Sequence, residues 1–241
     1  MKVTKAQSAD NRQGILDAAA RLYREHGLAG VGVADITRDA GLTHGGLYRH
    51  FESKDALVRE ACAQALHWSI PPLDADSPYP PGDVAGRITA YLSAKHRDDP
   101  GAGCPVAALA ADAGRGDAAL SEVFARGIER NISRFARLLT EGAEDPASAG
   151  STADAPCDRA APDSAQRVAS RETATVTLAT MVGALVLARA TKAGQPALSD
   201  EILATARAYL LRDVEPVDER GVERGAERTA AGPLARRGKA R

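Results

Sequence analysis

Residues 33–51 read VADITRDAGLTHGGLYRHF, and ESKDAL follows at residues 52–57. Two short helical patterns flank Gly41, because Ile36 before it and Leu47 after it are spaced so that they can bury together. Gly41 can adopt the left-handed backbone that reverses the chain between two helices. The stretch therefore predicts a helix-turn-helix, the motif whose second helix enters the major groove of DNA.

The second helix of this motif has polar and small residues on its outer side. We expect the first helix to span residues 33–40 and Thr43 to be the N-cap of the second, with its hydroxyl accepting a hydrogen bond from a free backbone N–H. Gly45 and Gly46 lie early in that helix, although glycine costs roughly 1 kcal/mol there relative to alanine. We interpret the two glycines as room for the close approach of a DNA backbone or groove floor. The polar side chains expected to stay exposed are Thr37, Thr43, His44, Tyr48 and His50.

The run GLTHGGLYRHFESKDAL at residues 41–57 follows an amphipathic helix pattern that ends in REHG at residues 24–27. Together they resemble the N-terminal DNA-binding domain of the TetR family of bacterial transcriptional regulators. The resemblance rests on the Gly41 turn, on Leu-Tyr-x-His-Phe at residues 47–51 and on Lys54. It implies that nine residues contact phosphates or base edges of DNA: Thr37, Thr43, His44, Gly45, Gly46, Tyr48, Arg49, His50 and Lys54.

The chemistry of these side chains suggests a division of roles. Tyr48 and His50 can donate hydrogen bonds to phosphate oxygens, Lys54 adds positive charge, and Thr37 can hold the DNA backbone from the preceding helix. Reading of the base sequence would fall to Thr43, His44 and Arg49. The alternative is a solvated helix in which Tyr48 packs on the core.

The composition favours an all-α fold, with a three-helix DNA-binding domain followed by a larger helical body. Aromatic residues make up only 4% of the 241 residues, and no region alternates between apolar and polar residues as strands do. The net charge of −1 gives no support for nucleic-acid binding. Residues 1–54 contain eight basic and six acidic side chains, an excess of only +2.

Changes in composition suggest the domain boundaries. Five prolines at residues 70–82 predict a linker, and residues 143–167, which lack large apolar side chains, predict a mobile insertion. We expect single helices over residues 83–96, 105–113 and 118–142, with a break at DDPGAGCP, residues 98–105, after the first of them. The predicted units are a flexible basic arm at 1–7, a DNA-binding domain at 8–53 with its helix-turn-helix at about 33–52, an effector-binding and dimerisation domain at 54–212, and a disordered charged tail at 213–241.

The helix predicted at residues 168–192 is apolar nearly all round, which a lone surface helix would not tolerate. With a helix at 199–212 it resembles the C-terminal pair that forms the four-helix dimer interface in the family, so we expect a homodimer. We predict no membrane span, because the longest uncharged run, at 173–188, is shorter than the roughly 20 residues that cross a bilayer. The predicted interface residues are Val182, Leu185, Val186 and Tyr209.

The resemblance also implies that a small-molecule effector binds among the body helices. The side chains that could line this pocket are Trp68, Tyr91, Cys104, Phe124, Phe135 and Met181, although core packing explains each equally well. Cys104 begins a helix in GCPVAAL at 103–109, where free N–H groups can stabilise a thiolate. A thiol redox sensor is therefore an alternative to a diffusible effector.

No sequence motif supports an enzyme, a metal site or a cofactor site. The five histidines form no HxxxH or HExxH pair, and no GxSxG, P-loop or dinucleotide motif occurs. Three cysteines without CxxC spacing are typical of the reducing cytoplasm. The favoured interpretation is a cytoplasmic homodimeric repressor that an effector releases from a pseudo-palindromic DNA operator. A helical ligand-binding or scaffold protein without a DNA function remains an alternative.

Overall fold

The computed structural model describes residues 4–67, 83–141 and 164–212, and within these ranges the chain forms helices and turns without a strand. The all-α prediction is confirmed. Trp68, the linker at 70–82, residues 142–163 of the insertion region and the tail at 213–241 lie outside the described residues. The helices are α1 (Lys5–His26), α2 (Val33–Asp39), α3 (His44–Leu47), α4 (Lys54–His67), α5 (Val84–Tyr91), α6 (Ala94–Asp98), α7 (Pro105–Ala113), α8 (Ala118–Glu141), α9 (Ser164–Thr191) and α10 (Pro196–Leu211).

Helix α1 begins earlier than the sequence predicts. Thr4 caps it by accepting a hydrogen bond from the Gln7 backbone N–H over 3.1 Å, so residues 5–7 are helical. The prediction that this part of the arm is loose is wrong, because a threonine N-cap was overlooked. At the other end, Gly27 has a φ of 75° and donates to the Tyr23 carbonyl, which ends the helix as expected.

The predicted single helix over 83–96 is also wrong, because α5 and α6 are separate. The chain leaves helical geometry at Leu92, and Ser93 adopts an extended backbone with φ −108° and ψ 155°. The Ser93 hydroxyl accepts a hydrogen bond from the His96 backbone N–H over 3.2 Å and so caps a new helix. A smaller correction concerns the insertion predicted at 143–167, whose last four residues belong to α9.

The helices pack around one continuous apolar core. Helices α1–α3 form the part called here the head, and α4–α10 form the body. Helix α4 packs on both α1 and α8, while α9 packs on α8 and α10. The contact between α4 and α8 is close, because a Cβ placed on Gly127 would lie 2.8 Å from the Leu66 methyl carbons. Helix α4 therefore links the head to the body through packed side chains.

Helix α9 has the length and composition of a membrane-crossing helix over residues 167–191, with a hydropathy of 1.5. The sequence argument from the uncharged run did not predict this. In the structure α9 packs on α7, α8 and α10, and 39% of the apolar window is buried inside the chain. A core helix of a soluble protein passes the same test of length and composition, so this result is weak evidence for a membrane span.

Candidate nucleic-acid interface

The turn between α2 and α3 has the predicted helix-turn-helix geometry. Gly41 adopts a φ of 67°, a left-handed conformation that side chains other than glycine rarely take. The Leu42 N–H then donates to the Thr37 carbonyl over 2.8 Å and closes the turn. Ile36 and Leu47 are fully buried, so each helix is anchored by the apolar residue that the spacing predicted.

Helix α3 is short, and its capping differs from the prediction. Thr43 occupies the N-cap position with an extended backbone, but its side chain makes no capping hydrogen bond. Instead, the Thr43 carbonyl accepts the Gly46 N–H over 2.8 Å. After Leu47 the chain continues as a turn, in which the Phe51 N–H donates to the Leu47 carbonyl over 3.0 Å.

Thr37 does not face outward, so its predicted exposure is wrong. The residue is 3% exposed, and its hydroxyl donates to the carbonyls of Val33 over 3.0 Å and Ala34 over 3.2 Å. A threonine in a helix can satisfy its hydroxyl in this way against the preceding turn. The Thr37 hydroxyl therefore donates its hydrogen bond inside α2. The Thr37 carbonyl accepts the Leu42 N–H, so Thr37 supports the turn.

The other predicted contacts form an outer surface on and after α3. Thr43, Gly45, Tyr48 and Arg49 are exposed, whereas Gly46 and His50 are half-buried. The side chain of His44 lies outside the described part of the structure. A Cβ on Gly45 would meet nothing within 4 Å, and one on Gly46 would make only ordinary contacts. Packing within the described chain therefore gives no reason for the two glycines.

Arg49, unlike Arg21 and Arg38, has no ion pair with any described residue. Arg21 pairs with Asp39 and Arg38 with Asp35, which leaves much of the positive charge of the head neutralised. The exposed guanidinium beside α3 is thus available to an external anion such as a phosphate or to a guanine edge.

Lys54 is held by the protein itself. Its Nζ donates to the Val31 carbonyl over 2.9 Å, and the residue is half-buried. The neighbouring Ser53 hydroxyl accepts the Ala56 N–H over 3.0 Å and so caps the start of α4. Lys54 thereby joins the start of α4 to the loop before α2, a positioning role that the sequence prediction missed.

Arg12 is a further residue that the sequence analysis missed. Its guanidinium lies 4.7 Å from the centre of the Phe51 ring and pairs with Glu60 on α4. Arg12 therefore connects α1 to Phe51, which ends the turn after α3. No spacing rule finds this contact, because the partners lie far apart along the chain.

The predicted effector-pocket residues do not surround a described cavity. Tyr91, Cys104, Phe124, Phe135 and Met181 are each at most 8% exposed and belong to the core. Tyr91 and Cys104 do lie side by side. A cleft of about 700 Å³ lies elsewhere, between α1, α2, α4 and the loop at 99–102.

The predicted dimer residues divide into two groups. Val186 and Tyr209 are 42% and 56% exposed, and Val182 is half-buried. Leu185 is fully buried within its own subunit, so its assignment to the interface is wrong: it faces the intramolecular core. Exposed apolar residues of these two helices that the prediction missed are Val168, Val176, Leu187 and Leu198.

Comparison with known proteins supports the same N-terminal domain. The model of the family "Bacterial regulatory proteins, tetR family" matches residues 15–61. The repressor KstR2 of Mycolicibacterium smegmatis is 38% identical over 65 residues, which are 27% of this chain and 32% of that protein. The regulator AcrR of Shigella flexneri is 39% identical over 57 residues, which are 24% of this chain and 26% of that protein. The alignments thus span less than a third of the length of these relatives.

The helical architecture extends the likeness beyond this segment. A TetR-family regulator of Agrobacterium tumefaciens superposes with a TM-score of 0.60 and 19% identity, covering 85% of this chain and 98% of that one. At this identity the match shows a shared fold. The helix-turn-helix and the family match over residues 15–61 show that this N-terminal segment is a DNA-binding domain of the kind found in the TetR family of bacterial regulatory proteins, and the shared architecture shows that the helical body has the same fold.

Proposed function

We propose that this protein is a cytoplasmic homodimeric transcriptional repressor that a small-molecule effector releases from its DNA operator. The observation that carries the proposal is the surface of α3, where Thr43, Gly45, Tyr48 and Arg49 lie exposed above the buried anchor Leu47. Such a surface matches the helix that a helix-turn-helix inserts into the major groove. The matched relatives are named as transcriptional repressors and regulators.

Positioning and base reading fall to different residues in this proposal. Tyr48 and His50 donate hydrogen bonds to phosphates, and Thr43, His44 and Arg49 face base edges. Gly45 and Gly46 allow the helix backbone to approach the groove closely. Lys54 adds positive charge while it holds the start of α4.

Dimerisation would use the uncovered apolar face of α9 and α10. Val176, Val186 and Leu187 on α9 and Tyr209 on α10 are exposed large apolar residues, and Val182 lies half-buried beside them. Pairing of this face with its copy would bury those side chains and make a four-helix interface. A symmetric dimer then presents two α3 helices to half-sites about 34 Å apart in a pseudo-palindromic operator.

Release follows from differential affinity of the effector for two arrangements of the heads. An effector that binds more tightly when the heads no longer match the half-sites shifts the population away from the DNA-binding state. The body helices around Tyr91, Phe124, Phe135 and Met181 remain the proposed place of binding, and Trp68 remains a predicted member of the pocket from the sequence.

A salt titration tests DNA binding directly. The purified dimer is titrated against the DNA upstream of its own gene and against an unrelated duplex of equal length, at several salt concentrations. We expect selective binding to the upstream DNA that weakens with salt, as phosphate contacts require. Equal affinity for both duplexes, and no selection from a random duplex library, would favour the helical ligand-binding or scaffold protein instead.

Arg49→Ala identifies the interface in the same assay. We expect about 10- to 100-fold weaker operator binding, because a side chain that contacts a base contributes on the order of 1–3 kcal/mol. Arg115→Ala is the matched control, since Arg115 is exposed near the start of α8 and pairs only with Asp112. Equal affinities of the two variants would remove Arg49 from the interface.

A thiol redox sensor is the second candidate for the regulatory signal. The observation that favours it is the position of Cys104, which is the N-cap residue of α7 and lies beside the Tyr91 hydroxyl. If Cys104 is the sensor, Cys104→Ser abolishes release of operator DNA by hydrogen peroxide and leaves release by a diffusible effector intact. Release by peroxide that persists in Cys104→Ser rules this candidate out.

A further inference from the structure

A polar cluster that is largely buried lies where α5, α6, the start of α7 and α9 meet. We call Tyr91, His96, Cys104 and Arg189 the Arg189 cluster. Tyr91 is 8% exposed and Cys104 is 3% exposed, and the Tyr91 and His96 rings pack edge to face with centroids 4.5 Å apart. None of these residues belongs to the DNA interface, so their polar atoms call for another explanation.

The hydrogen-bonding capacity of His96 is fully used. Its Nδ1 lies 2.8 Å from the Tyr91 carbonyl, and its Nε2 accepts the Cys104 backbone N–H over 2.9 Å. This pattern assigns the proton to Nδ1 and makes the ring neutral. The ring therefore has no hydrogen to offer to a further group.

Arg189 and Tyr91, in contrast, each keep an unused donor. Arg189 donates from Nη2 to the His96 carbonyl over 2.8 Å and from Nε to the Arg97 carbonyl over 3.1 Å. Its Nη1 and the Tyr91 hydroxyl are buried and have no nitrogen or oxygen hydrogen-bond partner among the described residues, and the polar neighbour of the Tyr91 hydroxyl is the Cys104 thiol, a weak acceptor. Leaving a buried donor unpaired is unfavourable, so a group that accepts a hydrogen bond from both donors would stabilise the folded protein.

The charge around these donors selects the kind of group. A guanidinium offers only donors, and the Tyr91 hydroxyl can donate alongside it. Arg24 of α1 adds a second guanidinium close enough to interact with Cys104, while Asp99 is the carboxylate that interacts with both arginines. Glu25 is a second carboxylate that interacts with Arg24, but the Arg189 guanidinium makes no ion pair with any described residue, so the group that complements its free donor is a negatively charged acceptor.

We propose that Arg189 Nη1 and the Tyr91 hydroxyl bind the carboxylate of an acidic small-molecule effector. The proposal deepens the effector response described above and rests on it. The carboxylate would accept one hydrogen bond from each donor and leave the bonds from Arg189 to the His96 and Arg97 carbonyls in place. Those two carbonyls begin the segment that Arg24 holds from the head through Gly101, so occupancy of the site acts where head and body meet.

The probes are sodium carboxylates from acetate to octanoate, with primary amides of the same length as uncharged matches and chloride at equal ionic strength. Thermal unfolding of the full-length protein is followed as each probe is added. We expect a concentration-dependent rise of Tm with one or more carboxylates and none with the matched amides. Arg189→Gln removes the rise, and Tyr91→Phe weakens apparent binding about tenfold, as loss of one hydrogen bond predicts.

Arg171→Gln is the matched control on α9, because Arg171 is exposed and pairs with Glu129; it should respond like the natural protein. If Arg189→Gln does not fold, Tyr91→Phe alone decides, since it removes one hydroxyl. No carboxylate-specific rise, or an equal rise in Tyr91→Phe, overturns the proposal and leaves an internal water as the partner of the two donors.

Operator binding in the same solutions separates this proposal from the proposed function. Selective operator binding without a carboxylate effect on Tm contradicts the proposed ligand site and supports the proposed repressor function. A carboxylate effect that requires Arg189 and Tyr91, in a protein that binds no DNA selectively, keeps the ligand site and sinks the repressor.

Discussion

His96 shows how one side chain can hold a buried turn. Both of its ring nitrogens bond to backbone atoms, so the imidazole connects the end of α5 to the start of α7. Burial lowers the pKa of His96 from its usual value, and the positive charge of Arg189 adds to this effect. The hydrogen bond to the Tyr91 carbonyl and the negative charge of Asp99 raise the pKa, but burial has the largest effect. His96 and Cys104 both belong to the Arg189 cluster. The folded protein therefore prefers the neutral ring.

Acidification should consequently destabilise the protein through this residue. Because the pKa of His96 is lower in the folded state than in the unfolded chain, its contribution to stability is present above about pH 6.5 and is lost as the pH falls through the folded pKa. We expect Tm to fall less between pH 7.5 and 5 in His96→Gln than in the natural protein. His67→Gln, at an exposed position on α4, is the control, and identical pH profiles of the two variants would contradict the assignment.

At the scale of single elements, two glycines within the body helices have different surroundings. Gly127 lies where α8 meets α4, and an added Cβ would lie 2.8 Å from both Leu66 methyl carbons and 3.0 Å from the Leu66 Cβ. Gly183 lies on α9, and an added Cβ there would meet nothing within 4 Å. The close packing of α8 against α4 thus explains why residue 127 is a glycine. No contact among the described residues explains the glycine at residue 183.

Gly127→Ala should lower the free energy of unfolding. Overpacking against the buried Leu66 costs roughly 1–3 kcal/mol, which exceeds the roughly 0.5–1 kcal/mol that alanine gains in a helix. Denaturant unfolding measures the change, and Gly14→Ala on α1 is the control because its Cβ would be free of contacts. Stabilisation by Gly127→Ala equal to that of Gly14→Ala would show that α4 and α8 are not in close contact.

Gly183→Ala should instead weaken the dimer. If α9 pairs with its copy, an added methyl group separates the two helices, and we expect the dimer dissociation constant to rise about tenfold. Sedimentation equilibrium gives this constant. Gly194→Ala, just after α9, also adds a methyl group in open space and should leave it unchanged. A dimer as tight in Gly183→Ala as in Gly194→Ala would place the interface elsewhere.

The elements that the sequence predicted correctly depend on local rules. Gly41, Ile36 and Leu47 define the helix-turn-helix because one backbone conformation and one buried pair suffice. The break after Leu92 was missed because no glycine or proline marks it before Pro100, and the Ser93 cap alone interrupts the helix. Conversely, α9 could be identified as a helix, but which of its apolar residues face inward depends on α8 and α10.

The site was less predictable than the fold because side-chain hydroxyl and ammonium groups choose between partners. The Thr37 hydroxyl bonds to its own helix, and Lys54 bonds to a carbonyl 23 residues away. Both residue types also suit phosphate contacts, so composition could not separate the two uses. The Arg189 cluster was hidden for a related reason: its members come from α5, α6, the start of α7 and α9, which only the folded chain brings together.

At the scale of the whole molecule, the segment at 96–104 joins the head to the α9–α10 pair. Arg24 on α1 donates from Nε to the Gly101 carbonyl over 2.6 Å. Arg97 at the other end of the segment donates to the Ser199 hydroxyl over 2.9 Å and pairs with Asp200 on α10. Together with Arg189, these contacts form a continuous polar connection between α1 and the α9–α10 pair.

Arg24→Gln should therefore loosen the position of the head. We expect a broader distance distribution between spin labels on the two α2 helices of a dimer, measured by pulsed electron resonance. Discrimination against operators with one base pair inserted between the half-sites should fall about tenfold, the loss expected for one charge-assisted hydrogen bond. Arg126→Gln, at an exposed site on α8, should change neither quantity. If the two variants behave alike, the segment does not position the heads.

The shortness of α3 has a consequence for engineering. Among the α3 side chains that the structure describes, Leu47 is the buried one, and the motif is otherwise held from below by Ile36, Phe51 and the Gly41 turn. Residues 43–46 and 48–49 can therefore be exchanged as a cassette without redesigning the core. In the proposed repressor, a library built on this scaffold would change which operator is bound while the buried core and the body helices stay as they are.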